Sequence, residues 1–229
     1  MKQRILIWDS PTRIFHWSFA LTFAGAYLTA ESERLRYVHV MLGYTMLGLI
    51  AFRLLWGFIG SRYARFVEFV RGPREVFRYL YCLIKRRPTH YLGHNPAGAV
   101  AILLLIALGA ISCLSGWLLY EEVGGEWFEE IHEVAANAML ALAGVHVLAV
   151  IVSSRIHGEN LALAMITGYK MGRRSGSIPD KRSIAGVLLL FALVGIWVWG
   201  LRSGQVDKPS SYSVAGLTVS SEDEDEERD

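Results

Sequence analysis

Five long apolar runs set the limits on what this chain can fold into. They cover about residues 14–30, 38–57, 97–120, 131–153 and 184–201 of 229. Each approaches the ~20 residues that a helix needs to cross a hydrocarbon core about 30 Å thick. Hydrophobic residues make up 53% of the chain, above the about 45–50% of soluble domains, but their gathering into spans is what decides the class. A backbone in lipid must satisfy its own polar groups, so the runs predict an all-α integral membrane helical bundle with five transmembrane helices. The first run follows Lys2 and Arg4 as a secretory signal would. Arg13 and His16 interrupt it and four more spans follow, so the N-terminus is expected to be kept.

The net charge of +2 hides an asymmetry that orients the spans. Segment 53–96 holds nine Lys and Arg against two acids, and segment 154–182 holds six against two, whereas 121–130 holds five acids and no base. By the positive-inside rule the basic segments and the N-terminus lie in the cytoplasm of a bacterial inner membrane. The acidic connection and the C-terminal tail then lie in the periplasm. The tail, within 202–229, ends in "SSEDEDEERD" and is expected to be disordered and solvated, a charge block that could also attract a basic partner. In "GPREVFRYLYCLIKRR", apolar residues at helical spacing among arginines predict an amphipathic helix at the membrane lipid interface or a docking surface. No nucleotide-binding glycine motif stands out, and topology explains the basic loops better than nucleic acid does. Cys82 and Cys113 fall in different kinds of segment, with no C-x-x-C-H, so neither covalent haem attachment by that motif nor a disulfide framework is expected.

Seven histidines are present, and three lie outside the spans. His90 and His94 precede "NPAG", where Asn95 can cap the third span and Pro96 suits its first turn; His157 follows the fourth. The other four lie in or at the edge of spans, where imidazole is costly and points to function. Topology puts His16 and His146 toward the cytoplasmic side, and His39 and His132 toward the outside. On the fourth span, fourteen residues return within roughly 40° of the same face while advancing about 21 Å. Both imidazoles therefore face one seam, with natural pairs His16/His146 and His39/His132. A haem iron held by two axial histidines suits such pairs between facing helices; a structural zinc site usually gathers four ligands at one point. Gly43, Ala135, Ala136, Ala143 and Ala149, about one turn from these histidines, would admit either a flat macrocycle or a close helix.

The strings "WDSPTRIFHWSF" (8–19), "HVMLGY" (39–44) leading to "FRLLWGFIGSRYARF", "GHNPAGA" (93–99) and "GENLALAMITGYK" (158–170) resemble the bacterial cytochrome b561 family, which includes the cytochrome b subunits of membrane nickel-iron hydrogenases. The resemblance covers about residues 5–172. It implies a four-helix core with two haems b, ligated at His16, His39, His132 and His146, that passes electrons between a quinone pool and a redox partner protein. That partner would be a hydrogenase, a formate-dehydrogenase-like enzyme or a c-type cytochrome. It also suggests a quinone pocket near the cytoplasmic haem, for which His94, His157, Glu159 and Asn160 are candidates. Arg13, Arg36 and Arg53 stand near span ends where they could meet haem propionates or snorkel to the interface. The linker and fifth span, 173–201, and the acidic tail fall outside the resemblance. Two alternatives stand beside the electron-transfer subunit: a stand-alone oxidoreductase between superoxide or another small molecule and quinone, and a transporter or metal-handling protein using the histidines as a relay.

Overall fold

The computed structural model describes residues 3–85, 87, 89–123 and 125–203. The acidic tail beyond residue 203 lies outside them.

Five long helices form the body. They are α1 (Ser10–Thr29), α2 (Arg36–Ile59), α5 (Pro96–Tyr120), α6 (Trp127–His157) and α8 (Ser183–Ser203). Between them lie α3 (Phe66–Phe69), α4 (Pro73–Ile84) and α7 (Leu161–Thr167). α2, α5, α6 and α8 are long and apolar enough to cross a membrane. α1 is the least apolar of the five, with Arg13 and His16 in its first half. Local chemistry sets the helix ends. Asp9 Oδ1 accepts Thr12 N–H at 2.8 Å ahead of Pro11, and Asn95 Oδ1 accepts Gly98 N–H at 2.7 Å ahead of Pro96. Gly158 and Gly168 close α6 and α7 with φ of 63° and 89°, where a Cβ would be strained. At 31 residues, α6 runs about 46 Å and overreaches the hydrocarbon core.

Packing is sequential: α1 lies on α2, α2 on α5, α5 on α6, and α8 on α1 and α2. The core draws on all five long helices through Phe15, Phe19, Met46, Leu49, Ile50, Ile106, Cys113, Met139 and Leu189. Large apolar side chains on the outer faces of α6 and α8, among them Val145, Leu148, Leu188 and Phe191, remain exposed, as a lipid-facing surface requires.

One end carries a small cap that the sequence reading treated as loops. β1 (Gln3–Leu6) pairs antiparallel with β2 (Tyr169–Gly172), in a register that sets Gln3 opposite Gly172 and Leu6 opposite Tyr169. A second apolar cluster of Ile5, Ile7, Trp8 and Ala164, flanked by Tyr63, Leu92 and Met165, holds it to the bundle. α4 lies on this end as the amphipathic helix the sequence predicts. Tyr79 is buried, while Phe77, Leu80, Tyr81 and Ile84 are exposed beside Arg74, Arg78 and Lys85.

Candidate functional site

The four histidines that the sequence reading put in spans meet as two pairs, and α6 supplies one member of each. One of the four comes from α1, which falls short of the four helices long and apolar enough to cross a membrane. His16 on α1 faces His146 with ring centroids 6.5 Å apart and planes at 52°. His39 on α2 faces His132 at 6.1 Å and 67°. Two imidazoles sharing a metal through Nε2 at about 2.0 Å would have centroids about 6.2 Å apart, so both pairs stand near that spacing.

Hydrogen bonds fix the tautomer of the second pair. His39 Nδ1 lies 2.9 Å from Ala26 O, and His132 Nδ1 lies 2.8 Å from Ser112 O. A carbonyl only accepts, so Nδ1–H donates and each Nε2 keeps its lone pair for a ligand. A hydroxyl three residues on also stands 3.1 Å from each carbonyl, Thr29 Oγ1 from Ala26 O and Ser115 Oγ from Ser112 O, although each donates at the shorter distance of 2.8 Å to another carbonyl, Gly25 O and Ile111 O. Gly116 completes the seat of His132, because a Cβ there would stand 2.9 Å from both Nδ1 and Cε1 of its ring. Beside His39, by contrast, a Cβ on Gly43 would meet nothing within 4 Å. His16 differs from its counterparts: its Nδ1 is buried without a hydrogen-bond partner, and its ring meets the Trp17 edge at 5.0 Å. Among the described residues, no three His, Cys, Asp or Glu side chains gather as a bare metal-ion site.

The arginines divide. Arg53 is 2% exposed. Its Nη2 donates to Ala64 O at 3.0 Å, its guanidinium lies 4.9 Å from the Phe66 ring centre, and its Nη1 is buried without a partner. Nearby Asp9 is fully buried, its Oδ2 accepting Trp56 Nε1–H at 3.0 Å. Arg13 donates to Ile166 O and, at 3.3 Å, to Ser10 Oγ, tying α1 to the end of α7; its Nε is buried and unpartnered. Arg36 opens α2, exposed, toward the end where His39 and His132 lie.

The pocket candidates also divide. His94 packs between Trp8 (4.6 Å) and Phe69 (4.8 Å) with Nδ1 buried and unpartnered. Burial above all, then the positive surroundings of Arg53, His146, His16 and Lys170, push its pKa down to about 3. It lines a cavity of about 240 Å³ with Tyr63, Phe69, Arg71, His90 and Tyr91. His157 and Glu159 line a smaller neighbour of about 30 Å³, with His90, Tyr79, Ser153 and Lys170. Asn160 lines neither; it caps α7, its Oδ1 accepting Leu163 N–H at 2.8 Å. His90, set aside as a loop residue in the sequence, contacts Glu159 at 3.0 Å and the His157 ring at 5.2 Å. Lys170, from β2, reaches Glu159 at 3.2 Å. Only the tertiary fold joins residues 90, 157–159 and 170, and no sequence spacing signals it.

Residues 7–168 match the model of the family described as prokaryotic cytochrome b561. The chain belongs to that family. As a b-type cytochrome it is a helical membrane protein whose cofactor is haem b. It is similar to the "Probable Ni/Fe-hydrogenase B-type cytochrome subunit" of Azotobacter vinelandii, 25% identical over 73% of this chain and 88% of that protein. The protein so described in Rhodobacter capsulatus is 22% identical over 72% and 81%. The "Probable Ni/Fe-hydrogenase 1 B-type cytochrome subunit" of Escherichia coli K12 is 25% identical over 51% and 60%. No solved structure matches the chain. The family match stops short of α8.

Proposed function

We propose that this cytochrome b carries electrons across the membrane, between a redox partner protein and the quinone pool, through two haems b. The observation that carries this reading is the two-level pairing of four histidines at about the spacing of a bis-imidazole metal site. His16 and His146 hold the haem at the capped end; His39 and His132 hold the other. Haem iron, when bound, supplies reversible one-electron chemistry. The chain supplies ligands, orientation and charge. At the second pair, Nδ1–H donation to a helix carbonyl fixes each ring and makes its Nε2 a better donor. The open space beside Gly43 leaves room for a macrocycle edge.

Near the capped end, Arg53 Nη1 and Arg13 Nε have no protein partner and suit the propionate carboxylates of the haem there. Arg36 is placed to do the same at the other end. His94, neutral and unpartnered at Nδ1, is the group best suited to meet a quinone oxygen in the larger cavity, with His157 and Glu159 in the adjoining wall. The basic, capped end lies in the cytoplasm with the N-terminus, and the acidic tail lies in the periplasm. α8 stands outside the di-haem unit formed within residues 1–172. The relatives' names favour a nickel-iron hydrogenase as the redox partner over a formate-dehydrogenase-like enzyme or a c-type cytochrome.

Reduced-minus-oxidised spectroscopy with haem quantitation tests the assignment. The wild type should carry two low-spin b haems per chain. His146→Ala should lose the haem at the capped end and keep the other, and His39→Ala the reverse. Absence of b-haem bands, or retention of both haems in both variants, would refute it.

A further inference from the structure

We propose that His90, Glu159, His157 and Lys170 form a proton-exchange site linking solvent at the capped, basic end to buried His94. It carries the protons that accompany quinone chemistry there, and so rests on the quinone reading above.

Three stretches that are remote in sequence meet around one carboxylate. His90 comes from the segment before α5, His157 from the last turn of α6, Glu159 from the turn after it, and Lys170 from β2. Glu159 takes both contacts at once, His90 Nε2 at 3.0 Å on Oε1 and Lys170 Nζ at 3.2 Å on Oε2. The His157 ring stands 5.2 Å from that of His90. Side-chain exposure falls along the series, from 41% at His90 to 20% at Glu159 and 4% at Lys170. A graded path from water to interior follows. α4 closes the site with the buried Tyr79 hydroxyl, which faces Ser153.

The space of about 30 Å³ among these groups has room and polar partners for about one bridging water. It shares His90, Tyr91 and Gly93 with the larger cavity that His94 lines. Burial raises the Glu159 pKa, but Lys170 and the hydrogen bonds from His90 and Lys170 outweigh it and hold the carboxyl below its usual range. The carboxylate therefore stays ionised and serves as the anionic acceptor that orients His90. Lys170 also donates to Tyr91 O and Leu92 O, which anchors it as the fixed countercharge while the imidazoles exchange.

Oxidation of one quinol releases two electrons, for which a bound haem would be the one-electron acceptor on the way to the partner, and two protons, which leave through the site to water. Quinone reduction runs the same steps backward. The relay groups end each turnover unchanged.

The test uses the full-length, haem-loaded protein and follows haem reduction by decylubiquinol, or its naphthoquinol counterpart, in stopped flow across pH and in H₂O and D₂O. Glu159→Gln should slow reduction on the order of tenfold, flatten its pH dependence and raise the solvent isotope effect, with dithionite-reduced spectra unchanged. His90→Ala, at an exposed position, should slow it too, and added imidazole should restore the rate. Wild-type rates in both variants, or a slow His90→Ala that imidazole does not restore, would overturn the proposal. If Glu159→Gln loses its haem spectrum, the His90→Ala rescue decides alone. Failure of both quinols to reduce the haems of the wild type would remove the quinone reading and the relay with it.

Discussion

Gly116→Ala should empty one haem site and leave the other intact. The added Cβ would stand 2.9 Å from His132 Nδ1 and Cε1, so the ring must retreat by about 0.5 Å to reach ordinary contact. Nδ1 is the atom that donates to Ser112 O at 2.8 Å, and a retreat of that size takes the bond past the favourable N–H···O range. Nε2 shifts with the ring. Metal–imidazole bonds of about 2.0 Å tolerate only about 0.2 Å, so the ligand is lost or weakened to high spin. Stability changes far less. Replacing a mid-helix Gly by Ala favours the helix by about 1 kcal/mol, which offsets part of an overpacking cost of about 1–3 kcal/mol. Haem quantitation should therefore fall from two per chain toward one, with the His16/His146 site spectrally unchanged and the thermal midpoint only modestly lower. Gly144→Ala is the control: its Cβ meets nothing within 4 Å, and both haems should remain. Two haems with an unaltered low-spin signal in Gly116→Ala would show that His132 does not ligate from its observed position.

Two further outcomes follow from hydrogen bonding and burial. Thr29→Val or Ser115→Ala removes the longer, 3.1 Å arm of a hydroxyl contact whose nearer acceptor is Gly25 O or Ile111 O at 2.8 Å, and with it a weak competitor for the carbonyl accepting the Nδ1 proton of His39 or His132. The imidazole then becomes the better donor to ferric iron, and redox titration should place that haem's midpoint lower by on the order of 10–30 mV; an unchanged or higher value contradicts the argument. His94, with a folded pKa near 3 against about 6.5 unfolded, takes up its proton only on unfolding throughout that window. Its contribution to stability is complete above about pH 6.5 and is lost as pH falls toward 3, by up to about 1.4 kcal/mol per pH unit. Thermal midpoints of His94→Phe should thus depend less on pH between 6.5 and 4.5 than those of the wild type, and parallel profiles would count against a buried neutral imidazole.

What the sequence made legible, and what it hid, separates along one physical line. A spanning helix is a ruler: its rise and turn fix the depth and face of every residue, so fourteen positions between His132 and His146 were enough to pair each with a histidine entering from its own side. The capped end has no ruler. β1 and β2 are four residues each, too short for a periodic signal, and their pairing joins segments more than 160 positions apart. Lys170 therefore read as one more topogenic cation, although its amine is among the most buried charges in the protein. Asn160 read as a candidate pocket group, yet its side chain is consumed in capping α7. Gly116 carried no signal, since a glycine in a transmembrane helix is ordinary and its significance lies in an imidazole from another helix. The polar chemistry of this chain thus has two origins. The paired histidines are written along helices and survive as spacing, while the cluster around Glu159 is assembled by connections whose meeting depends on the cap being folded. Substitutions in the cap, at Ile5 or Trp8 for instance, should consequently disturb the surroundings of His94 and Glu159 while leaving the His39/His132 pair in place, since His132 lies 25 residues, about 38 Å, along α6 from its capped end at His157.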